Sequence, residues 1–397
     1  MIKPHRDCFT TSVSEKLTWF KQCLWDGELS RQSRLALADL LHGALEEDIN
    51  NQLGIQRTYE RGSGRLDQRN GYYERVLETG WGPAQMRVPR SRLNRYEPTV
   101  FEAYERRTAQ VDQVICNLFT GGLSTRTVAE IMDLICGCRV SASTVSAVAT
   151  ALDGHVQAYQ QRPLKDQYTY LALDGIHLRC KGADGPQHRV VLVAYGIAAG
   201  GRKELIAFRQ APSESERHWT AFLQDLYRRG LTGERLMLVT TDGAAGLIAA
   251  LDWVYPHVGR QRCWAHKLRN VSAYLRKAHR QECLQQASRI YQAPTYQEAV
   301  RRFRGWRTQW QELEPKAVAC LQADIEALLA HFIVPLQDRL KVRTTNAIER
   351  AFREVRRRTR PMSCFNNPAS IDRIIFAVFS RLNSNWEKRS RSFTQDT

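Results

Sequence analysis

Two aspartates stand within or at the end of apolar segments, where a solvated charge is unexpected. Asp174 lies inside YLALDGIHL and Asp242 ends LMLVTTDG, and both segments have the composition of β-strands. Acidic side chains are depleted in strands, and a charge beside a hydrophobic run costs free energy unless it is paired or binds a metal. A single Asp-Gly pair usually marks a turn. Two such aspartates in one α/β segment favour a shared site, because ligands gather at strand ends in open α/β sheets.

Glu349 is the best candidate for a third carboxylate. In TTNAIERAFREV, the apolar residues Ile348, Phe352 and Val355 form a helical stripe, and Glu349 lies at its edge. The predicted helix can therefore turn this carboxylate toward a sheet. The alternative is an early-turn glutamate that interacts with the helix dipole and with Arg353 at i+4. Three carboxylates can hold two divalent cations about 4 Å apart, an arrangement that stabilises the attacking and leaving oxygens of a phosphoryl displacement.

The elements that must position these carboxylates are predicted to form an α/β core. Between residues 165 and 267 the pattern gives three strands, a helix, a strand, a helix and a short strand. This order is typical of a mixed sheet flanked by helices. The glycines from Gly196 to Gly201 are predicted to lie in a turn. Residues 268–336 are predicted to be wholly helical, and residues 337–397 to form C-terminal helices that end in a basic tail.

The N-terminal part contains two segments of different character. Residues 1–60 are predicted to be a helical region, and residues 61–110 a basic β-hairpin-like region. Arginines and tyrosines interleave in the second segment. Such a ribbon can lie along a DNA backbone, although a solvated hairpin has the same pattern.

Residues 111–160 predict a helix-turn-helix-like region. Ser124 can cap one helix, and Ser141 or Ser143 can cap the next. Two short capped helices around a tight turn are the outline of a DNA-binding motif, and Arg126 is a candidate phosphate contact. Helical hairpins that bind nothing share this outline.

The charge of the chain favours a polyanionic partner. Lys and Arg number 58 against 41 Asp and Glu, a net charge of +17, and residues 338–391 carry 14 basic and 5 acidic residues. Half of the excess therefore lies in about a seventh of the chain, and nucleic acid is the commonest partner of such a concentration. Because successive helix positions turn by roughly 100°, these side chains cannot all face one duplex. The candidate DNA contacts in this region are Lys341, Arg343, Arg350, Arg353, Arg356, Arg357, Arg358 and Arg360.

The composition argues against a secreted or membrane protein. The ten cysteines form no dense framework, and the N-terminus lacks the apolar core of a signal peptide. No apolar run approaches the ~18 residues of a membrane span. We therefore expect a cytoplasmic protein with reduced thiols.

Several segments resemble, in order and spacing, the motifs of the Mutator-type bacterial insertion-sequence transposases, which belong to the DDE superfamily. The resemblance runs from about residue 50 to 388. Its strongest segments are LALDGIHLR, LVTTDGAAGLIAAL, QRCWAHKLRNV and VRTTNAIERAFREVRRRTRPM. It implies a ribonuclease-H-like core in which Asp174, Asp242 and Glu349 are the catalytic, metal-binding triad for two Mg²⁺ ions, with Mn²⁺ able to substitute. It also implies that residues 268–336 are an all-α insertion before the helix that carries Glu349.

The activity implied by the resemblance is transposition. Such an enzyme binds the terminal inverted repeats of its element, cuts a strand to release a 3′ hydroxyl, and transfers that end to target DNA. Work on two ends implies a homo-oligomer, at least a dimer, on DNA. Two alternatives are open: a metal-dependent nuclease or resolvase without strand transfer, and a helix-turn-helix regulator with an inactive core.

Cys263 and His266 form a Cys-x-x-His pair in RCWAHK. This spacing suits one half of a zinc site, and His279 with Cys283 can supply the other half. In the family that the chain resembles, such a pair recurs beside the active site. We therefore expect Cys263 and His266 near the carboxylates, where His266 can help to hold the scissile phosphate. A buried cysteine and a structural histidine would have the same spacing.

Overall fold

The computed structural model forms two compact units and describes most of the chain. Residues 1–151 make up the first unit and residues 152–397 the second. The predicted segment 111–160 is thus divided between them. Part of the predicted N-terminal helical region lies outside the described residues. The described ranges are 27–54, 67–101, 105–182, 185–360 and 364–395.

The first unit contains a long helix packed on a β-hairpin. Helix α1 (Gly27–Leu53) contacts strand β2 (Gly82–Ser91), which pairs antiparallel with β1 (Arg69–Thr79). Alternate side chains of β2 are buried, and they include Met86 and Val88. The buried face of the hairpin packs on the helix because the strand has a side-chain period of two. Both strands of this hairpin lie within the segment predicted to be hairpin-like.

Three short helices complete the first unit: α2 (Ala109–Thr120), α3 (Thr125–Cys136) and α4 (Ala142–Thr150). Ser124 and Ser141 are the N-caps of α3 and α4. Each hydroxyl accepts a hydrogen bond from the backbone N–H three residues on, at 3.1 and 3.0 Å. Both caps follow the sequence prediction, with Ser141 rather than Ser143 at the second position.

The second unit is built on a five-stranded mixed sheet in the order β5-β4-β3-β6-β7. Strands β3, β4 and β5 run antiparallel in sequence, while β6 and β7 are parallel to β3. The long strand β3 is therefore central and joins the two halves of the sheet. The strands are β3 (Tyr168–Gly182), β4 (Gly185–Ala198), β5 (Lys203–Ala211), β6 (Leu238–Thr241) and β7 (Gly259–Arg262).

One predicted turn begins later than expected. Gly196 lies inside strand β4, paired with Leu171 of β3, and the turn begins only after Ala198. A Cβ atom at position 196 would lie 2.5 Å from side-chain carbons of both Tyr168 and Ile206. The glycine is thus required for close packing within the sheet and not for a turn.

One face of the sheet carries the main apolar core. Helices α6 (Glu216–Arg228) and α7 (Ala245–Val254) cover it, and Trp219 and Leu251 are fully buried there. Leu171 and Leu173 of β3 point into this core. Because side chains alternate along a strand, Asp174 points to the opposite face.

All the remaining helices except α5 follow β7. Those from α8 to α12 enclose an apolar core of their own, whereas α13 and α14 pack on β3, and α15 packs on β5. None of the described helices is long and apolar enough to cross a bilayer. The helices are α5 (Leu152–Gln161, which precedes the sheet), α8 (Trp264–Tyr274), α9 (Lys277–Tyr291), α10 (Tyr296–Trp310), α11 (Pro315–Gln322), α12 (Ile325–Leu329), a 3₁₀ turn (Ala330–Ile333), α13 (Leu336–Val342), α14 (Asn346–Thr359) and α15 (Pro368–Gln395).

Candidate active site

The register of the sheet brings Asp174 and Asp242 together. Ala172 of β3 is paired with Thr240 of β6 in the parallel ladder, and each aspartate lies two residues further along its strand. Residues at the same distance from a paired position remain neighbours across two parallel strands. The two aspartates therefore lie side by side. Asp242 is the first residue after β6. This neighbourhood follows from the register and was not readable from either segment alone.

Burial makes the charged form of Asp174 costly. Only 9% of the residue is exposed. The pKa of Asp174 is raised to about 6, chiefly by burial; the negative charges of Asp242 and Glu214 contribute to the rise, and His266 and the Gly175 N–H oppose it. That N–H donates to Asp174 Oδ1 at 2.9 Å. A second negative charge beside a buried carboxylate fits a site that binds a cation.

A tight turn fixes Asp242. Its Oδ1 accepts a hydrogen bond from the Ala244 N–H at 3.0 Å. Gly243 has a φ of +84°, a region that L side chains rarely adopt. The Asp-Gly pair is therefore a turn, as such pairs usually are, and the turn also places the aspartate at the end of the strand.

Glu349 lies in the first turn of α14, with the predicted apolar stripe of Ile348, Phe352 and Val355 buried beneath it. Its partners come from α8. Oε1 accepts a hydrogen bond from Arg269 Nη2 at 2.6 Å. Among the described residues, Glu349 forms ion pairs with Arg269 and His266, which both lie on α8. It forms none with Arg353, the partner that the alternative interpretation required.

Cys263 and His266 fix the start of α14. The buried thiol of Cys263 accepts a hydrogen bond from the Thr345 N–H at 3.3 Å, and the Thr345 hydroxyl lies 3.4 Å from His266 Nδ1. Thr345 is the N-cap residue of α14, but its hydroxyl does not cap the helix, because it faces these two side chains instead. Both residues therefore contact Thr345 and position the helix that carries Glu349.

His266 lies between two of the predicted carboxylates. Its Nε2 is 3.5 Å from Glu349 Oε1. A hydrogen bond with Cys263 raises the pKa of His266, burial opposes this, and the charges of Cys263, Asp174 and Glu349 raise it further. The negative groups around the imidazole therefore favour its protonated form.

The donor set suits a hard cation better than zinc. Asp174 and Asp242 offer carboxylate oxygens, and no Lys or Arg of the described residues forms an ion pair with either. Oxygen ligands are those that Mg²⁺ prefers. Within the described ranges, however, no three acidic, histidine or cysteine side chains converge on one point as metal ligands, and Glu349 is bonded to Arg269.

The alternative zinc quartet is not formed. His279 Nδ1 lies 2.8 Å from Glu314 Oε1, so this imidazole is engaged in the helical region. Cys283 is buried, and burial raises the pKa of its thiol to about 11, which disfavours the thiolate that zinc requires. Cys263 is bonded to Thr345.

Glu214, on the loop between β5 and α6, is a site residue that the sequence reasoning missed. Its Oε1 lies 3.1 Å from His177 Nε2. The carboxylate fills the space beside Gly175, where a Cβ atom would lie 2.3 Å from Oε1, and the main chain at 214–216 packs against Gly246. Burial and the charge of Asp242 raise the pKa of Glu214. Within SESERHW, Glu214 has the pattern of an ordinary acidic residue at the start of a helix. The only feature of the sequence that relates to its position is Gly175, which leaves the space that the Glu214 carboxylate fills.

Most of the predicted arginines of α14 are exposed, but one is not. Arg358 is 6% exposed, and its Nη1 donates to Glu354 Oε2 at 2.8 Å. It is therefore a structural residue, and its prediction as a DNA contact is corrected by its burial. Arg357 is exposed and pairs with the same carboxylate at 3.1 Å. The other exposed arginines of the helix and its end are Arg350, Arg353, Arg356 and Arg360.

The basic residues outside α14 differ in availability. Lys341 Nζ pairs with Asp338 Oδ1 at 2.7 Å, and the half-buried Arg343 stacks 4.7 Å from the ring centre of Tyr291. Arg126 in the first unit is exposed on α3. Lys341 and Arg343 thus have internal partners, and Arg126 faces solvent.

The chain is similar to known insertion-sequence transposases over most of its length. The chain is 32% identical over 363 residues to the transposase for insertion sequence element ISRM5 of Rhizobium meliloti (strain 1021), which covers 91% of this chain and 90% of that protein. It is 34% identical over 354 residues to the transposase for element IS406 of Burkholderia multivorans (strain ATCC 17616 / 249), at 88% and 90% coverage. It is 33% identical over 366 residues to the transposase for element IS256 in transposon Tn4001 of Staphylococcus aureus, at 89% and 93% coverage.

The family match extends over almost the whole chain. Residues 15–389 match the family described as "Transposase, Mutator family". This range includes Asp174, Asp242 and Glu349, and it confirms the family that the sequence motifs predict. The chain therefore belongs to the Mutator family of transposases.

Proposed function

We propose that this transposase binds the terminal inverted repeats of its element, cuts DNA strands there in a metal-dependent reaction, and transfers the 3′ ends to target DNA. The observation that carries this proposal is that the β3–β6 register supports a side-by-side placement of Asp174 and Asp242, with His266 close enough for its charge to lower the pKa of Asp174. Family membership supports the DNA-processing role.

The proposed roles divide among the carboxylates. Asp174 and Asp242 hold two Mg²⁺ ions, for which Mn²⁺ can substitute, and Glu349 completes the set. When bound, the cations supply charge stabilisation for the attacking and leaving oxygens of phosphoryl transfer. The burial of Asp174 lowers the local dielectric, which strengthens this electrostatic contribution.

The other residues of the site position the substrate and the helix. His266 bears positive charge when protonated and faces the region where a DNA phosphate must lie beside Glu349. Cys263, through Thr345, holds the start of α14 in place. Because the chemistry depends on orientation, a fixed helix start contributes to the rate without contact with the DNA.

At the level of the fold, we propose that the sheet and its helices are a ribonuclease-H-like core. The strand order β5-β4-β3-β6-β7, with two parallel strands beside a three-stranded antiparallel meander, supports this assignment. We also propose that helices α8 to α12 belong to an all-α insertion. Their separate apolar core, which contains Trp306 and Trp310, supports that view.

The proposed DNA contacts lie in both units. On α14 the exposed Arg350, Arg353 and Arg356 can bind phosphates in any sequence. In the first unit, the guanidinium groups of the exposed Arg87 and Arg90 stack over tyrosine rings of the hairpin at 5.1 and 4.9 Å, and we infer that both also contact phosphates. Since both ends of an element must be processed together, we propose a homodimer on DNA.

A strand-transfer assay tests the proposal. Purified protein is incubated with Mg²⁺, target DNA and inverted-repeat ends that are either intact or pre-cleaved. We expect joined products that require the divalent cation. Cutting without joining would support a nuclease or resolvase instead, and tight binding without cutting would support a regulator with an inactive core.

A further inference from the structure

Arg269 on α8 lies against the carboxylate that is proposed to hold a cation. Its Nη2 donates to Glu349 Oε1 at 2.6 Å. A short charge-assisted hydrogen bond of this kind uses the oxygen that a metal ion would need. The guanidinium and a divalent cation cannot occupy that position together, because both are positive and both require the carboxylate.

The two side chains differ in their freedom to move. The Arg269 side chain is 59% exposed, whereas that of Glu349 is 22% exposed. The start of α8 is anchored, since the Trp264 N–H donates to the Arg343 carbonyl at 3.1 Å and Trp264 Nε1 donates to the Leu328 carbonyl at 2.7 Å. The backbone of α8 is therefore fixed relative to α14, while the guanidinium can swing into solvent.

A second cationic group is directed at the same oxygen. His266, one helical turn before Arg269 on α8, places Nε2 3.5 Å from Glu349 Oε1. One face of α8 thus presents two groups that can carry positive charge to this carboxylate. Once Glu349 is taken by a cation, the planar guanidinium is left next to the reacting region, where it matches the geometry of a phosphate group.

We propose that Arg269 neutralises Glu349 while the site lacks a cation, and that it exchanges this carboxylate for a DNA phosphate when a cation binds. Arg269 is thus both a competitor of the metal and a phosphate-binding residue. This inference rests on the proposed function, because it takes Glu349 to be a metal ligand.

Cation binding without DNA tests the first half. The full chain is titrated with Mn²⁺ in a calorimeter as wild type, Arg269→Ala and Arg304→Ala. Arg304, an exposed arginine on α10, is the control for the loss of one positive charge. We expect Arg269→Ala to bind Mn²⁺ about three- to tenfold more tightly than wild type, and Arg304→Ala to bind it as wild type does. In a Glu349→Gln background, Arg269→Ala should have no further effect.

DNA binding tests the second half. Affinity for an inverted-repeat end is measured in Ca²⁺, which takes similar oxygen ligands, and in EDTA. Arg269→Ala should weaken binding several-fold in Ca²⁺ and less than twofold in EDTA, whereas Arg304→Ala should show the same ratio in both.

The outcomes separate the two proposals. If Glu349→Gln weakens Mn²⁺ binding but Arg269→Ala leaves it unchanged, the exchange is wrong and the triad stands. An equal loss of DNA affinity in Ca²⁺ and EDTA would overturn the phosphate half. If Glu349→Gln does not alter Mn²⁺ binding, the proposed metal site is wrong, and the exchange falls with it.

Discussion

The thiol of Cys263 accepts a hydrogen bond from the backbone N–H of Thr345 at 3.3 Å. This contact joins residues 82 positions apart and ties the start of α8 to the start of α14. The two residues of the Cys-x-x-His pair consequently have different contacts in the site. Cys263 holds the helix of Glu349, and His266 faces the Glu349 carboxylate itself.

Removal of this thiol should destabilise the fold. Cys263→Ala leaves a buried N–H without its acceptor, so we expect the free energy of unfolding to fall by about 1–3 kcal/mol. Cys263→Ser keeps an acceptor and should lose less. Urea unfolding measures both, with the partly buried Cys320→Ala as the control. Equal stability of the alanine and serine variants would show that the hydrogen bond contributes nothing.

Asp174 should make the metal-free protein less stable as pH rises. The pKa of this carboxyl is raised from 3.8 to about 6 on folding, so the unfolded state releases its proton first and stability falls between pH 4 and pH 6. The full cost, present above pH 6, is about 3 kcal/mol at most. Asp174→Asn should therefore stabilise the metal-free protein at pH 7.5, with no gain near pH 4.

Unfolding in EDTA at the two pH values measures this difference. Mg²⁺ should stabilise the wild type but not Asp174→Asn, because the ligand is lost. If Asp174→Asn were no more stable than the wild type at pH 7.5, burial of the charged Asp174 carboxylate would not destabilise the metal-free protein.

The exposed and buried arginines of α14 should behave differently. Arg353→Gln should weaken DNA binding and reduce the slope of log affinity against log salt concentration by about 1, since one phosphate contact is lost. Arg358→Gln should leave that slope unchanged but lower stability, because the side chain is buried against Glu354. Filter binding over a salt series, together with thermal unfolding, separates the two effects. The same slope for both variants would contradict the assignment.

The space beside Gly175 provides a test of the Glu214 position. A methyl group there collides with the Glu214 carboxylate, so Gly175→Ala should lower stability by about 1 kcal/mol. In a Glu214→Ala background most of this cost should vanish, a non-additivity typical of contacting residues. The exposed Gly200, whose Cβ position is open, supplies the matched Gly→Ala control. If the stability losses of Gly175→Ala and Glu214→Ala were additive, the Glu214 carboxylate would not lie in contact with position 175.

Part of this site could be predicted from the sequence. Asp174 and Asp242 stand out because a charge in an apolar strand segment needs a reason, and the stripe around Glu349 fixes its helix. The burial of Arg358 could also have been predicted, since this residue continues that stripe three residues after Val355. Its charge obscured the periodicity.

The remaining features depend on contacts between distant segments. The adjacency of the two aspartates needs the β3–β6 register, and the partner of Glu349 comes from a helix 80 residues earlier. The position of Gly196 in a strand could not be predicted, because a glycine is equally compatible with a turn and with a crowded strand. The residues that crowd it, Tyr168 and Ile206, are distant in the sequence. Glu214 has no local signal that separates it from an ordinary helix-start acid.

Cleavage at the inverted repeats by carboxamide variants tests the central claim most directly. The rate of Mg²⁺-dependent strand cleavage is measured for Asp174→Asn, Asp242→Asn and Glu349→Gln, with Glu354→Gln, on the same helix but bonded to Arg358, as the control. We predict a loss of at least about 100-fold for each of the first three, with intact folding and DNA binding, and little change for the control. Full cleavage by the Glu349→Gln variant would contradict the account.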